Sequence, residues 1–163
     1  MLLPEYVYVS DGNGADNVEA WEVPVKPECV VVADHIYSVF DLLDDWDSRG
    51  LFFVDGHKEN LLYRRVEELG LPPRRHQDIL IDEIIELDGP KTRGKYPKRL
   101  WRIAVYNDEG YVVELLTNNF SWAASTIAQQ YKSRWMIGIF FRNLKQNLHI
   151  KIFVGTSRNA VEI

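Results

Sequence analysis

Near its C-terminus, the sequence places an aromatic hydroxyl and two cationic side chains along one predicted helix. At about 100° per residue, Tyr131, Arg134, position 138 and Lys145 fall within an arc of about 60°. A guanidinium and an ammonium in a fixed row suit phosphate oxygens. Position 138 is a glycine, which costs a helix interior about 1 kcal/mol relative to alanine. Taken alone, such a stripe is more typical of a solvated helix face.

A second candidate is Asp34, which follows the apolar, β-branched run Cys29–Ala33. Such a run predicts a strand buried on both faces. In open α/β sheets, ligands bind at the carboxyl ends of the strands, and a carboxylate there suits an ion such as Mg²⁺. The alternative is an aspartate that only caps the following loop.

The elements around Asp34 predict a βαβ unit with a parallel strand pair. The strand Cys29–Ala33 is followed by a helix, Val39–Trp46, with Ser38 as its N-cap and Arg49-Gly50 as its exit, and then by the strand Leu51–Val54. On this helix Asp41, Asp44, Asp45 and Asp47 resemble paired carboxylates, but the pattern favours a solvated face.

The middle of the chain predicts antiparallel strands. Residues 61–69 read as either helix or strand, and Tyr6–Val9 near the N-terminus reads as a strand. Three further strands are predicted, of which the last two form a hairpin: Ile79–Leu87, Leu100–Tyr106 and Tyr111–Leu116. From Ala123 to about Leu148 the spacing of apolar residues predicts one long helix, with Ser121 as its expected cap.

Composition describes an ordinary globular chain with a strong charge polarity. The 163 residues suggest one domain, the single cysteine excludes a disulfide framework, and no apolar run is long enough for a membrane helix. Residues 1–88 hold seven Lys/Arg against twenty Asp/Glu, whereas residues 89–163 hold twelve against four. A basic C-terminal part indicates a surface that faces an anion.

The helix spacing resembles the Y-x-x-R-x-x-x-E-x-x-x-x-x-x-K signature of DDE transposases of the IS-four insertion-sequence family. Upstream, Val32–Tyr37 resembles the V-x-D-R-x-Y segment of that family, and Phe52-Phe53-Val54 with Lys58 resembles its next strand. Further matching segments extend along the C-terminal third: Leu116–Phe120, Thr126–Ala128, Tyr131–Trp135, Phe140–Gln146 and Gly155–Val161.

The resemblance implies an α/β protein with a partial RNase H-like fold. The implied fold is a mixed sheet flanked by helices, with an antiparallel β insertion before a long C-terminal helix. The implied parts are residues 1–60, the N-terminal part of the core without its first strands; residues 61–118, the β-rich insertion; and residues 119–163, the long helix and a truncated tail.

The resemblance also implies a site. In such a family three carboxylates hold two Mg²⁺ or Mn²⁺ ions, which promote in-line displacement at a phosphodiester. Asp34 matches the second carboxylate and would be a metal ligand, and Gly138 stands at the position of the third, a lost glutamate. The implied DNA contacts are Tyr131, Arg134, Arg142, Lys145 and Lys58.

The departures from the family pattern predict a copy without catalytic activity. The first carboxylate belongs on a strand upstream of this sequence, and the C-terminus is expected to stop inside the final helix. Position 35 is histidine where the family has arginine, and Gly56 stands where a basic residue is common. The implied partners are transposon-end DNA and a second copy of the protein, in a bacterial cytoplasm and without a membrane.

Three other interpretations stay open at this point. The chain is a non-catalytic remnant that binds DNA ends or interferes with an intact transposase, or it is an unfolded decay product. An unrelated small metal hydrolase would need a second carboxylate near Asp34, and the sequence offers no good one.

Overall fold

A strand, a helix and a second, parallel strand begin the described part of the chain. In the computed structural model, which describes residues 26–34, 40–57, 60–70 and 78–134, these are β1 (Val30–Asp34), α1 (Phe40–Ser48) and β2 (Phe52–His57). β1 and β2 pair in parallel, with Val30 opposite Phe52 and Asp34 opposite Gly56. The predicted βαβ unit is confirmed.

Helix α1 ends at the predicted glycine. Gly50 has a φ of 76°, in the left-handed region that glycine adopts without strain. The carbonyl of Trp46 in the last turn accepts from the backbone N–H groups of Leu51 at 2.9 Å and of Arg49 at 3.2 Å. The buried side of the helix consists of Phe40, Leu42, Leu43 and Trp46.

Four antiparallel strands continue the same sheet. They are β3 (Tyr63–Glu68), β4 (Ile79–Leu87), β5 (Arg99–Tyr106) and β6 (Val112–Thr117), and the order across the sheet is β1-β2-β6-β5-β4-β3. The predicted β5–β6 hairpin is confirmed. The segment that read as either helix or strand is strand β3.

A side-chain oxygen accepts hydrogen bonds from the backbone of the β5–β6 hairpin turn. Asn107 Oδ1 accepts from the backbone N–H groups of Glu109 at 3.0 Å and Tyr111 at 2.8 Å, and Gly110 supplies a φ of 82°. Asparagine and glycine are the residues that turn geometry favours here. The register of the hairpin is therefore specified locally.

The two helices lie on opposite faces of the sheet. A second helix, α2 (residues 124–134), packs on the face that carries Val54, Ile103 and Leu115. On the other face, the Phe40 ring of α1 lies 6.1 Å from the ring of His57. His57 and Gly56 are neighbours in β2, so their side chains point to opposite faces.

The fold agrees with an α/β protein that has a mixed sheet flanked by helices. All described residues belong to one compact unit, Pro24–Trp135. Within the described residues, no helix combines the length and apolarity needed to cross a membrane. The division into parts 1–60, 61–118 and 119–163 stays a prediction. Several predicted features lie outside the described residues: the strand Tyr6–Val9, the Ser38 cap, and the long helix beyond residue 134.

Candidate functional site

Asp34 is the last residue of β1, at the carboxyl end of the parallel pair. Its partner in the register is Gly56 of β2. The two strands run in the same direction, so their carboxyl ends meet at one edge of the sheet, as expected for a ligand site in an open α/β fold. Asp34 therefore lies at the carboxyl end of a strand, as predicted from the sequence.

Tyr131 of helix α2 lies directly on Gly56. A β-carbon built on Gly56 would be 2.5 Å from Tyr131 Oη and 2.7 Å from Tyr131 Cε2, so only glycine allows this approach. The ring is 7% exposed and belongs to the apolar cluster that includes Val54 and Ile127. Tyr131 of the predicted helix signature thus packs on the strand position that is the register partner of Asp34.

Gly56 is a residue whose role the sequence did not reveal. Sequence comparison marked it only as a departure from a basic position. The close approach of the Tyr131 ring explains why a side chain is absent here. A glycine inside a strand is a general signal of close approach, and this signal could have identified the position.

Asn119 shapes the turn that precedes helix α2. Its Oδ1 accepts from the backbone N–H groups of Ser121 at 3.0 Å and Trp122 at 3.3 Å. The N–H of Asn119 in turn donates to Thr117 Oγ1 at 3.0 Å. Asparagine favours such turns because its side chain accepts from backbone N–H groups two residues on. The helix itself begins after Ala123, whose carbonyl accepts from the N–H groups of Thr126 and Ile127, so the cap is not at the expected Ser121.

Asn118, 9% exposed, joins three elements. Its Nδ2 donates to Asp47 Oδ1 of α1 at 2.7 Å and to the Leu51 carbonyl at 3.0 Å. Its Oδ1 accepts from the N–H of Phe53 in β2 at 3.0 Å. Asn118 thus links the end of β6 to α1 and to β2.

The aspartates of α1 form ion pairs. Lys95 Nζ lies 2.8 Å from Asp41 Oδ2, and Lys98 Nζ lies 3.1 Å from Asp44 Oδ1 and 2.6 Å from Asp47 Oδ2. The hydrogen bond to Asp47 raises the pKa of the Lys98 ammonium. Asp41 and Asp47 accept hydrogen bonds from these lysines, whereas Asp44 Oδ1 is buried and has only the ion-pair contact, so this face is charged but not fully solvated.

The donor set of the described residues does not fit a divalent metal. Among residues 26–34, 40–57, 60–70 and 78–134, no group of three or more His, Cys, Asp or Glu side chains could hold an ion. Hard cations need several oxygen ligands. Of the signature carboxylates, the residues of this sequence supply Asp34, while position 138 is glycine.

A buried charged network lies elsewhere on the sheet. Arg102 Nη1 donates to Glu83 Oε1 and Arg102 Nη2 to Glu114 Oε1, both at 2.7 Å, and the Tyr63 ring stacks 4.9 Å from the guanidinium. Desolvation raises the pKa of the Tyr63 phenol. The sequence did not single out this network, which crosses four strands and is therefore invisible to local patterns.

The structure describes only some of the remaining predicted site residues. Arg134 is the last described residue of α2 and is half-buried, and its neighbour Lys132 pairs with Asp108 at 2.7 Å. Four predicted positions lie outside the described residues: Lys58, Gly138, Arg142 and Lys145. The DNA contacts of Lys58, Arg142 and Lys145 stay predictions, as do those of Tyr131 and Arg134. The assignment of Gly138 to the position of a lost glutamate and of Asp34 to a metal ligand also stays a prediction.

Comparison with known proteins identifies the family of this chain. A family profile described as the transposase DDE domain matches residues 1–163. The chain is 29% identical over 133 residues to a protein of Geobacillus stearothermophilus named as a transposase for insertion sequence element IS5377, covering 81% of this chain and 34% of that protein.

A second relative is a protein of Sinorhizobium fredii named as transposase y4zB. It is 27% identical over 161 residues, which covers 98% of this chain and 45% of that protein. The chain thus spans less than half the length of these curated relatives. No solved structure matches it. Because the family profile covers every residue, the chain belongs to the transposase DDE domain family.

Proposed function

We propose that this chain is part of a DNA transposase of the IS-four type and that it contacts transposon-end DNA. The observation that carries the proposal is the packing of Tyr131 on Gly56, the strand partner of Asp34. It brings a helix that resembles the family signature to the sheet edge that carries the matching aspartate. The proposed core is RNase H-like, with β3–β6 as its insertion.

In this proposal α2 and its continuation contact the DNA backbone. Six basic residues and no acidic residue lie between Lys132 and Arg158. Arg134 and Lys145 are the central contacts, because arginine and lysine on one stripe suit phosphate oxygens. The protein is proposed to act on DNA in a bacterial cytoplasm and to self-associate.

The chain by itself is proposed to bind without cutting. The resembling signature has glutamate where this sequence has Gly138, and glycine offers no oxygen ligand. Phosphodiester displacement assisted by metal ions depends on several carboxylates, and loss of a supporting ligand reduces activity strongly. The glycine at position 138 therefore favours a second candidate function: a protein that binds transposon-end DNA and interferes with an intact transposase.

Titration of labelled transposon-end duplex, with and without Mg²⁺, tests the binding. We expect weak binding. The logarithm of the association constant should fall linearly with the logarithm of the salt concentration, with a slope of about 0.9 per phosphate contact. Replacing Arg134 and Lys145 by alanine together should flatten that slope by about two contacts. Absence of salt-dependent binding by the wild-type chain would refute the proposal.

Incubation of the purified chain with end-containing DNA and Mn²⁺ tests the catalytic part. We expect no nicking or joining. Nicking that requires the protein and is lost in Asp34→Ala would show that the chain cuts DNA, and would contradict the non-catalytic assignment while leaving the family role in place.

A further inference from the structure

The loop between β4 and β5 meets helix α1 through two lysines. Lys95 Nζ lies 2.8 Å from Asp41 Oδ2. Lys98 Nζ lies 2.6 Å from Asp47 Oδ2 and 3.1 Å from Asp44 Oδ1. The three aspartates follow one another at intervals of three residues, so they lie along one side of α1. The loop therefore contacts the helix along a single row of carboxylates.

Tyr96, between the two lysines, anchors the same loop in the core. The residue is 1% exposed, and its ring packs edge-on against Phe53 of β2 with the ring centroids 6.1 Å apart. Lys98 Nζ lies 5.9 Å from the centroid of the Tyr96 ring. Loops normally run over the protein surface, and a buried aromatic ring removes a large apolar area from water. The attachment of the loop therefore rests mainly on this one ring.

The backbone of the loop is held together by its own hydrogen bonds. The N–H groups of Thr92 and Arg93 donate to the Gly89 carbonyl at 3.0 and 2.9 Å. The N–H groups of Lys95 and Tyr96 donate to the Thr92 carbonyl at 3.0 and 3.3 Å. These bonds form within residues 89–96, so movement of the loop away from α1 breaks no strand pairing of the sheet.

We infer that residues 89–98 form a latch, which closes on α1 and opens as a separate unit while the sheet stays folded. Segments attached by few side-chain contacts open at a lower free energy than the whole domain unfolds. Ion pairs between partly exposed groups contribute little each and weaken as salt screens them. Opening of the latch therefore requires the removal of one ring from the core and the loss of weak ion pairs.

The latch connects two parts of the sheet. It leaves the sheet after β4 and returns as β5, both in the antiparallel part, whereas α1 joins β1 to β2. Since β1 ends at Asp34, the closed latch holds the crossover helix of the unit that carries Asp34. The latch is thus a conformational device that links the antiparallel strands to this unit, and its role does not depend on DNA binding.

Hydrogen exchange of the folded chain in increasing urea tests whether the latch opens by itself. We expect the N–H groups of residues 92–96 to exchange at rates that change little with urea, because opening exposes little surface and a single released turn has little stability of its own. Exchange in β5 should rise steeply with urea, because it requires unfolding of the sheet. Equal urea dependence for the latch and β5 would overturn the inference.

Salt acts on the same equilibrium. Raising the salt concentration from about 0.1 M to about 1 M shortens the Debye length from about 10 Å to about 3 Å and should speed exchange of the latch. Lys98→Met removes one cation and should speed exchange of residues 92–96 about two- to fivefold. Lys91→Met, at an exposed lysine of the same loop, is the matched control and should leave that exchange unchanged.

Tyr96→Ala removes the anchor and should speed exchange of the latch about a hundredfold or more. In this background the latch should already be open, so adding Lys98→Met should no longer change the exchange of residues 92–96 or the urea midpoint. Circular dichroism shows whether Tyr96→Ala keeps the sheet. Equal effects of Lys98→Met with and without Tyr96, equal effects of Lys98→Met and Lys91→Met, or loss of the sheet in Tyr96→Ala would each overturn the inference.

Discussion

The Tyr131 hydroxyl sits so close to the α-carbon of Gly56 that a β-carbon at residue 56 would lie 2.5 Å from it. Because Gly56 is the register partner of Asp34, this contact joins helix α2 to the carboxyl end of the parallel strand pair. The helix and the strand pair are therefore positioned relative to each other by the absence of one side chain.

Gly56→Ala should lower the free energy of unfolding by about 1–3 kcal/mol, because the added methyl group forces the Tyr131 ring to move within a packed core. Urea unfolding measures the change. Gly94→Ala is the matched control, since a β-carbon there meets nothing within 4 Å, and its effect should be small. Equal costs at both positions would show that the contact with Tyr131 is not responsible.

Asn118→Ala should destabilise the fold by about 2–3 kcal/mol. The substitution leaves the N–H of Phe53 and the carbonyl of Leu51 without their partner, and unpaired buried polar groups are costly. Thermal unfolding measures the loss, and hydrogen exchange should show a faster Phe53 amide. A Phe53 amide that remains protected to the wild-type level would contradict the assigned hydrogen bond.

Arg102→Met should cost about 3–5 kcal/mol, because it leaves the buried Glu83 with only the longer contact to Arg65 at 3.7 Å. Adding Glu83→Leu and Glu114→Leu should restore much of the stability, since apolar side chains then fill the space that the charged side chains occupied. Arg64→Met, at an exposed ion pair with Glu86, should cost under about 1 kcal/mol. Denaturant unfolding that ranks these variants differently would refute the assigned network.

Alkaline pH should unfold the chain through Tyr96. Burial of its phenol, followed by the nearby carboxylates of Asp47 and Asp44, raises the pKa of Tyr96 in the folded state. The folded pKa lies above the unfolded value near 10, so the stabilisation is complete below about pH 10 and is lost as the pH rises further. Tyr96→Phe should reduce this loss in a pH series of unfolding experiments. Tyr106→Phe, at a ring that is 47% exposed, is the control and should behave like wild type.

The two edges of the described sheet predict where the chain pairs with another strand. Edge strand β3 carries charges and a bulge between Arg65 and Glu67, whereas Val30–Ala33 of β1 is uncharged. Uncharged edges invite pairing. We expect β1 either to associate with a second copy or to pair with residues 6–9.

Sedimentation over a range of concentrations, combined with hydrogen exchange, measures this pairing. Self-association should increase amide protection across Val30–Ala33 as the concentration rises. Pairing with residues 6–9 should protect both segments in a monomer. A monomer with strongly protected Val30–Ala33 amides and unprotected residues 6–9 would contradict the prediction.

Local patterns were sufficient for the elements of this sheet. The run of apolar residues before Asp34, the glycine after α1 and the Asn107–Gly110 turn each act over a few residues, so the βαβ unit and the hairpin follow from the sequence. The segment 61–69 stayed undecided because β3 is an edge strand whose alternation is weak, and its pairing with β4 is what makes it a strand.

The sequence by itself determined that Asp34 lies at a strand end and that Tyr131 and Arg134 lie on one helix. Only the tertiary structure decided that Tyr131 packs on Gly56, that Asn118 joins α1 to β2, and that Arg102 lies between Glu83 and Glu114. The spacing of residues along one helix or strand depends on backbone geometry, which can be predicted from the residue types of that segment alone. Contacts between distant segments depend on the order of strands and on close packing of side chains, which no short stretch of sequence encodes.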